Sequence, residues 1–205
     1  MITIIDYGAG NIRSIEKALQ FIGEDVLLTG DPDQIRKAEK LILPGVGSFG
    51  EAMENLNRCG LVEPIREAAA EGIPLMGICL GLQLLFERSE ESPGVPGLGI
   101  LCGEVLRIPD TPGLKIPHMG WNSLHLQYDG RLFRGVSEDA YVYFVHSYYL
   151  KAEEEEIVKA VTEYGVQIHA AVEKGNIFAT QFHPEKSSDV GLHMLHNFAA
   201  VRKED

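Results

Sequence analysis

The first 87 residues alternate short apolar runs with amphipathic stretches, and this alternation constrains the fold more than any other feature. The apolar runs are 2–5, 26–29, 40–44 and 73–79, and a glycine or proline follows each run within a few residues. Such runs predict buried strands, and the stretches between them are long enough for helical crossovers. Strands that alternate with helices form a parallel sheet covered on both faces. We therefore predict an α/β fold with a mostly parallel central sheet flanked by helices.

The stretches between the runs carry helix signals. The first helix is predicted between Asn11, a good N-cap, and Gly23, a good terminator. Its apolar stripe consists of Ile12, Ile15, Leu19 and Ile22. Asp31-Pro32 places a cap before a first-turn proline, which predicts a short second helix. Further helices are predicted near 50–58, 61–71 and 80–87.

The second half of the chain changes to strands joined by short polar turns. The predicted strands are 141–150, 156–161, 166–172 and 177–182. Segment 173–176 (EKGN) is typical of a hairpin loop, which makes the strands on either side antiparallel. The last helix has an apolar stripe made of Val190, Met194, Phe198 and Val201. We expect an antiparallel extension of the parallel sheet, within a single domain that covers 1–205.

The charge balance excludes some classes of partner. The chain has 18 Lys and Arg against 30 Asp and Glu, a net charge of −12 at pH 7. This charge opposes nucleic-acid backbones and anionic membrane surfaces. No apolar stretch approaches the ~20 residues that span a bilayer. We therefore expect neither nucleic acid nor a membrane as a partner.

The amino terminus and the cysteines indicate the compartment. The first six residues, MITIID, carry no basic leader and predict a first strand rather than a signal peptide. The three cysteines, Cys59, Cys79 and Cys102, cannot all pair within one chain. We expect reduced thiols and a cytoplasmic protein, with Cys59 and Cys102 structural or incidental.

Cys79 is the central residue of GICLG (77–81), which has the spacing of a nucleophile elbow. In an elbow the strand and the helix approach so closely that the flanking positions need glycine, and the central side chain projects beyond the sheet. The start of the following helix also favours thiolate over thiol. The pentapeptide alone is almost equally compatible with a buried core cysteine.

A base for this thiol would come from QFHPE (181–185), which follows a predicted strand. His183 and Glu185 lie two residues apart in an extended segment, so their side chains share one side. A carboxylate beside an imidazole fixes its tautomer and stabilises the imidazolium that forms when the thiol loses its proton. A His-Pro-Glu turn alone is more often a surface feature. Together with the elbow it predicts a cysteine–histidine–glutamate triad.

Two backbone segments could supply an oxyanion hole. The N–H of Leu80 begins the helix after Cys79. PGVG (44–47) lies at the carboxyl end of its own strand, and the carboxyl ends of neighbouring parallel strands share one edge. From the sequence alone, an ordinary Pro-Gly turn is the favoured interpretation of this second segment.

These segments together resemble the class I (triad) glutamine amidotransferases. PGVG (44–47), GICLGLQ (77–83) and HPE (183–185) occur in the family's order, and the resemblance spans almost the whole chain. A narrower resemblance, to the ammonia-producing subunits of histidine biosynthesis, rests on DYGAGN (6–11), PGVGSFG (44–50), PHMGWN (117–122), YFVHSY (143–148) and QFHPEKS (181–187). The resemblance implies the family's flavodoxin-like arrangement of parallel strands.

The resemblance also implies glutaminase chemistry. Cys79 would attack the side-chain amide of L-glutamine, His183 would relay a proton to the leaving ammonia, and Glu185 would orient His183. The oxyanion hole implied by the family pattern comprises Val46, Gly47 and Leu80. The implied contacts with glutamine come from Gly47, Gln83, Ser147 and Tyr148. The family pattern implies no cofactor and no metal.

A partner is implied as well. In the family, ammonia passes to a (β/α)₈-barrel synthase subunit within a heterodimer, and a rotation of the PGVG backbone completes the oxyanion hole when the partner binds its nucleotide. The residues that would contact the partner are His118, Met119, Trp121 and Asn122. Trp121, the only tryptophan, is the best candidate for an interface anchor. A core position for Trp121 is nearly as compatible with the composition.

Two alternatives remain open at this stage. A stand-alone cysteine hydrolase or peptidase of similar fold would act without a partner. A non-catalytic interaction module would keep the fold without needing a nucleophilic thiol. The histidines outside the triad show no metal-ligand spacing; they are His118, His125, His146, His169, His193 and His196.

Overall fold

A computed structural model describes residues 1–127 and 129–203 of the chain. The strands are β1 (Ile2–Ile5), β2 (Val26–Thr29), β3 (Leu41–Leu43), β4 (Leu75–Ile78), β5 (Arg88–Ser89), β6 (Gly103–Arg107), β7 (His118–Ser123), β8 (His125–Leu126), β9 (Tyr141–His146), β10 (Tyr148–Ala152), β11 (Val158–Glu163), β12 (Gln167–Lys174) and β13 (Ile177–Thr180). The α-helices are α1 (Ile12–Phe21), α2 (Pro32–Arg36), α3 (Phe49–Arg58), α4 (Val62–Ala70), α5 (Leu80–Leu84) and α6 (Ser188–Ala200). Single turns of 3₁₀ helix occur at Arg131–Phe133, Glu155–Ile157 and Pro184–Lys186.

The largest sheet has the strand order β2-β1-β3-β4-β13-β12-β11-β8. The strands from β2 to β13 in this order pair in parallel, and those from β13 to β8 pair antiparallel. A tight turn joins β12 to β13, where Lys174 pairs with Ile177. The predicted parallel sheet, its antiparallel extension and the hairpin are therefore confirmed.

Successive residues of the parallel strands point to opposite faces of this sheet. Leu41, Leu43 and Leu75 join an apolar cluster that includes side chains of α3 and α4. Ile42 and Met76 join a second cluster that includes side chains of α1 and α6. Because both faces are buried, the strands need continuous apolar runs, which is the pattern that the sequence shows.

The prediction of one strand over 141–150 is wrong at its centre, because the structure divides this segment at Ser147. β9 pairs with β7, whereas β10 pairs with β6 in a separate sheet. The carbonyl of Ser147 accepts a hydrogen bond from the N–H of Ile108 (2.9 Å), so the chain changes partner strands here. The sequence did not predict β5 to β8, whose residues lack an apolar run.

The predicted helix over 80–87 is also too long, since α5 ends at Leu84. The carbonyl of Leu84 accepts from the N–H of Leu98 (2.8 Å), and that of Leu85 accepts from the N–H of Ile100 (2.9 Å). These carbonyls are therefore occupied by a neighbouring segment and do not continue the helix. The predicted cap of α2 is confirmed, because the side chain of Asp31 accepts a hydrogen bond from the N–H of Asp33 (2.9 Å).

Within 1–127 and 129–203, no helix has the length and apolar character needed to cross a membrane. The thiols of Cys59, Cys79 and Cys102 are all free, and Cys79 is the buried one.

Candidate active site

Cys79 lies between β4 and α5, where a central strand of the large sheet becomes a helix. Its backbone has φ 55° and ψ −108°. A residue with a side chain rarely adopts a positive φ, and such strained positions cluster at functional sites. The sharp turn expected from the GICLG spacing is therefore present.

The glycines on either side of Cys79 are needed for steric reasons. A Cβ at Gly77 would lie 2.7 Å from the carbonyl oxygen of Gly81. A Cβ at Gly81 would overlap the carbonyl oxygen of Leu43 in the neighbouring strand β3. Only glycine lets the strand and the helix approach this closely. This is the steric reason for glycine that the GICLG spacing predicted.

His183 and Glu185 follow β13, the strand next to β4. Nδ1 of His183 lies 2.7 Å from Oε1 of Glu185, and the two side chains are 1% and 0% exposed. Because an ionised carboxylate only accepts hydrogen bonds, Nδ1 carries a proton. Nε2 of His183 is buried and makes no hydrogen bond with any described residue. It is the nitrogen available to the thiol of Cys79.

The pKa of His183 is raised from 6.5 to about 9. Burial by itself lowers this pKa, but the neighbouring Cys79 sulfur and the Glu185 carboxylate stabilise the imidazolium and more than offset that effect. Cys79 and His183 line the same cleft, but Nε2 of His183 and the thiol form no hydrogen bond in this structure. Catalytic hydrogen bonds often tighten only when substrate binds.

Cys79 and His183 line one cleft of about 380 Å³. The same cleft is lined by the expected oxyanion and glutamine contacts, which are Val46, Gly47, Leu80, Gln83, Ser147 and Tyr148. Three of its segments follow β3, β4 and β13, which are adjacent parallel strands. Their carboxyl ends therefore share one edge, as expected for an α/β site.

The PGVG segment packs directly against the elbow. A Cβ at Gly45 would lie 2.9 Å from the Cβ of Leu80, so this backbone has no room for a side chain. The buried hydroxyl of Tyr7 donates to the carbonyl of Pro44 (2.8 Å) and anchors the start of the segment. Gly47 has φ 96°, a conformation that favours glycine. Leu80 begins α5, and its N–H has no acceptor within the helix.

The structure brings three further side chains to the site. Asn11 occupies the N-cap position of α1, but its side chain donates to Oε1 of Glu185 (2.6 Å) and does not cap the helix. Glu91 lines the cleft and accepts from a backbone N–H at the start of α3 (2.7 Å). Nε2 of Gln181 donates to the sulfur of Cys79 (3.8 Å). Asn11 and Gln181 lie in segments that carried the resemblance, whereas no sequence signal singled out Glu91.

β7 has two different faces. Met119 and Trp121 are 62% and 51% exposed, so Trp121 is not a core residue. His118 is only 3% exposed, and its assignment to a partner surface is wrong. Side chains alternate along a strand, and His118 therefore points inward, where it stacks between two aromatic rings. Asn122 shares this inward direction and lies 3.4 Å from His118.

Two other features of the surface lie apart from this chemistry. His125, Glu138 and Asp139 gather into a group with metal-ligand atom types, which the sequence spacing did not indicate; all three are exposed. A larger open cleft, of about 580 Å³, lies beside β11 and β12, and the described residues that line it include no cysteine.

Comparison with known proteins agrees with this geometry. The family model described as "Glutamine amidotransferase class-I" matches residues 3–201. A protein of Moorella thermoacetica, described as "Imidazole glycerol phosphate synthase subunit HisH", is 54% identical over 98% of this chain and 94% of its own length. A protein of Methanothermobacter thermautotrophicus with the same description is 53% identical over 98% of both chains.

Solved structures with low sequence identity share the fold. A structure described as "Crystal structure of glutamine amidotransferase" has a TM-score of 0.76 at 21% identity and covers 97% of this chain and 99% of its own. PurLQS from Thermotoga maritima has a TM-score of 0.74 at 22% identity, with 97% and 96% of the two chains covered. The chain belongs to the class I glutamine amidotransferase family and, within it, to the group of relatives described as imidazole glycerol phosphate synthase subunit HisH.

Proposed function

We propose that the chain is the glutaminase subunit of an imidazole glycerol phosphate synthase. It hydrolyses L-glutamine to glutamate and ammonia in the cytoplasm, and passes the ammonia to a (β/α)₈-barrel synthase subunit in a heterodimer. The observation that carries this proposal is the single cleft that contains both Cys79 at its elbow and His183, with Glu185 hydrogen-bonded behind it. Relatives that are 54% and 53% identical support the choice of synthase.

The reaction begins when the thiolate of Cys79 attacks the side-chain carboxamide carbon of glutamine. The tetrahedral oxyanion accepts hydrogen bonds from the N–H of Leu80 and from an N–H of the Val46–Gly47 segment. The imidazolium of His183 protonates the leaving nitrogen, and ammonia departs to leave a γ-glutamyl thioester on Cys79. Neutral His183 then takes a proton from water, which attacks the thioester and releases glutamate. Glu185 stabilises the imidazolium in both steps.

Glutamine is recognised by other polar groups that line the cleft. Nε2 of Gln83 donates to the carbonyl of Tyr148 (3.1 Å) and to Oε1 of Gln181 (3.1 Å), which uses both of its hydrogens. Gln83 therefore offers the substrate its oxygen, an acceptor suited to the α-ammonium group. The carboxylate of Glu91 lines the same cleft and supplies a complementary negative charge. An ammonium group beside these acceptors would place glutamine with its amide towards Cys79.

The synthase would dock on the outward face of β7 and β9. Met119, Trp121 and Tyr141 are 62%, 51% and 60% exposed on these two paired strands. This surface adjoins the triad, because the N–H of His183 donates to the carbonyl of Tyr143 in β9 (3.0 Å). Ammonia is mostly ammonium at neutral pH, so transfer over a short path keeps it nucleophilic. The synthase would use it to form imidazole glycerol phosphate and aminoimidazole carboxamide ribotide.

The direct experiment is glutamate release by the purified chain, alone and with the barrel synthase and its nucleotide ligand. We expect slow release by the chain alone and strong stimulation by the liganded partner. Equal rates with and without the partner would instead indicate a stand-alone cysteine hydrolase. Failure of a glutamine-like electrophile to alkylate Cys79 would indicate a non-catalytic interaction module.

A further inference from the structure

The sulfur of Cys79 has a hydrogen-bond donor that the triad does not account for. Nε2 of Gln181 lies 3.8 Å from Sγ, within hydrogen-bonding range of sulfur, and Gln181 is fully buried. Sγ also lies 3.9 Å from the carbonyl oxygen of Val145, which accepts from the thiol but offers no donor to a thiolate. When the thiol ionises, the amide of Gln181 is therefore the one of these two contacts that gains strength, because hydrogen bonds to ionised acceptors are the stronger ones.

The direction of the Gln181 amide follows from its neighbours. A backbone carbonyl only accepts, so the group of Gln83 that faces the carbonyl of Tyr148 is its NH₂. The same NH₂ faces the amide of Gln181, which must present its oxygen there. The NH₂ of Gln181 is thereby turned towards the sulfur of Cys79. The alternative, a flipped amide with oxygen on the sulfur, would place two NH₂ groups face to face.

Two buried histidines extend this hydrogen-bond network beyond the carbonyl of Tyr148. Nδ1 of His146 donates to that carbonyl (2.8 Å), and Nε2 of His146 accepts from Nδ1 of His118 (2.9 Å). Burial lowers the pKa of His146 to about 3 and that of His118 to about 4, so both rings are neutral and have one donor and one acceptor each. Nε2 of His118 then faces the NH₂ of Asn122, which also donates to the carbonyl of Glu163 (3.0 Å). His146 and Gln83 both donate to the carbonyl of Tyr148, and the bonds from Gln83 to Gln181 and from Gln181 to the sulfur of Cys79 run away from it. Every donor in this network therefore faces an acceptor.

We propose that Gln181 is a further catalytic residue, whose side-chain amide donates to the sulfur of Cys79 and stabilises the thiolate. Gln83, oriented by the carbonyl of Tyr148, acts as the positioning residue for this amide. The proposal deepens the glutaminase function and rests on it for its biological role. It also links substrate binding to the nucleophile, because the amide that positions Gln181 belongs to a side chain that lines the glutamine cleft.

The test is the pH dependence of alkylation of Cys79 by iodoacetamide, read for the Cys79 peptide by mass spectrometry because Cys59 and Cys102 are exposed thiols. Gln181→Met keeps the size of the side chain and removes the donor. We expect the midpoint of alkylation to rise by about one pH unit, which corresponds to the loss of one hydrogen bond to an ionised group. Gln181→Glu should raise it further, because a carboxylate would then face the thiolate. His183 and Tyr7, the titratable groups that interact with Cys79, are unchanged in both variants.

Phe182→Leu is the matched control, since Phe182 is the fully buried neighbour of Gln181 and packs against Phe144. This variant disturbs packing without changing a donor, and its midpoint should equal that of the wild type. An unchanged midpoint in folded Gln181→Met would overturn the proposal, as would an equal shift in Phe182→Leu.

If thermal unfolding shows that the Gln181 variants are not properly folded, the contact can be tested in the wild type by NMR. The side-chain amide of Gln181, observed by ¹⁵N NMR, should change its chemical shift over the pH range in which Cys79 becomes reactive. This change should disappear in Cys79→Ala. A chemical shift of the Gln181 amide that stays constant over this pH range in the wild type would contradict the contact. Alkylation needs no glutamine turnover, so an inactive wild type with a Gln181-dependent midpoint would reject only the glutaminase function.

Discussion

Asn11 donates a hydrogen bond of 2.6 Å to Oε1 of Glu185, the same oxygen that lies 2.7 Å from Nδ1 of His183. The second oxygen of this carboxylate is buried and has no hydrogen-bond partner among the described residues. Asn11 itself has φ 68°, a left-handed conformation that asparagine tolerates better than most residues. The turn after β1 therefore fixes the carboxylate that orients the catalytic imidazole.

Asn11→Ala should lower kcat for glutamine hydrolysis by about tenfold or more, with KM little changed, because a hydrogen bond to an ionised group is lost. Steady-state glutaminase assays with the partner present separate the two constants. Asn57→Ala, which removes a similar amide bond to a backbone carbonyl in α3, is the control and should retain full activity. An increase in KM alone would show that Asn11 acts on substrate binding instead.

Glu185→Gln should lower the pKa of His183 from its value of about 9, because the carboxylate stabilises the imidazolium. NMR titration of the His183 ring measures this directly. In the wild type the folded pKa lies above the ordinary 6.5, so the extra proton stabilises the fold fully below pH 6.5, and this contribution is lost as the pH rises through about 9. A ring that titrates at the same pH in the variant would contradict the role given to Glu185.

Several parts of this site could be predicted from the sequence, because their chemistry depends on local spacing. The elbow at Cys79 requires glycine on both sides, and the HPE segment places His183 beside Glu185 within three residues. Asn11 illustrates what local patterns miss. Its position favours a helix cap, but the side chain reaches a carboxylate 174 residues away in the chain, a contact that only the folded sheet creates.

Contacts between segments that are separate in the sequence explain the other differences between the sequence predictions and the structure. The segment 141–150 has the apolar pattern of one long strand. Nothing in its local sequence indicates that its first half pairs with β7 and its second half with β6. His118 lies in a segment with an exposed tryptophan, yet period-two alternation turns it into the core. The end of α5 is likewise set by a distant segment around Leu98 that occupies its last carbonyls.

Gly47→Val should greatly reduce the stimulation of glutaminase activity by the partner's nucleotide ligand. Gly47 has φ 96°, and a β-branched residue there resists both this conformation and the peptide rotation expected of the PGVG segment. Glutamate release is measured with the partner, with and without the ligand. Gly60→Ala serves as the control, since Gly60 also has a positive φ, with open space around it. Undiminished stimulation in Gly47→Val would count against a moving oxyanion segment.

Trp121→Ala should weaken binding of the synthase by about 2 kcal/mol or more, roughly thirtyfold in Kd, as expected for a tryptophan at the centre of an interface. Its side chain is half exposed, so Tm should hardly change. Titration calorimetry and thermal unfolding separate the two effects. Phe21→Ala removes an aromatic side chain that is 79% exposed at the end of α1, and should leave binding intact. If Trp121→Ala binds the synthase with wild-type affinity, the synthase docks on another surface.

The most direct measurement compares two nitrogen sources in the complex of Cys79→Ala with the barrel synthase. The account predicts that imidazole glycerol phosphate formation from glutamine falls to background, while formation from added ammonium salts stays at the wild-type rate. Glutamine-dependent turnover that survives in Cys79→Ala would contradict the account, because the thiol would then not be the nucleophile.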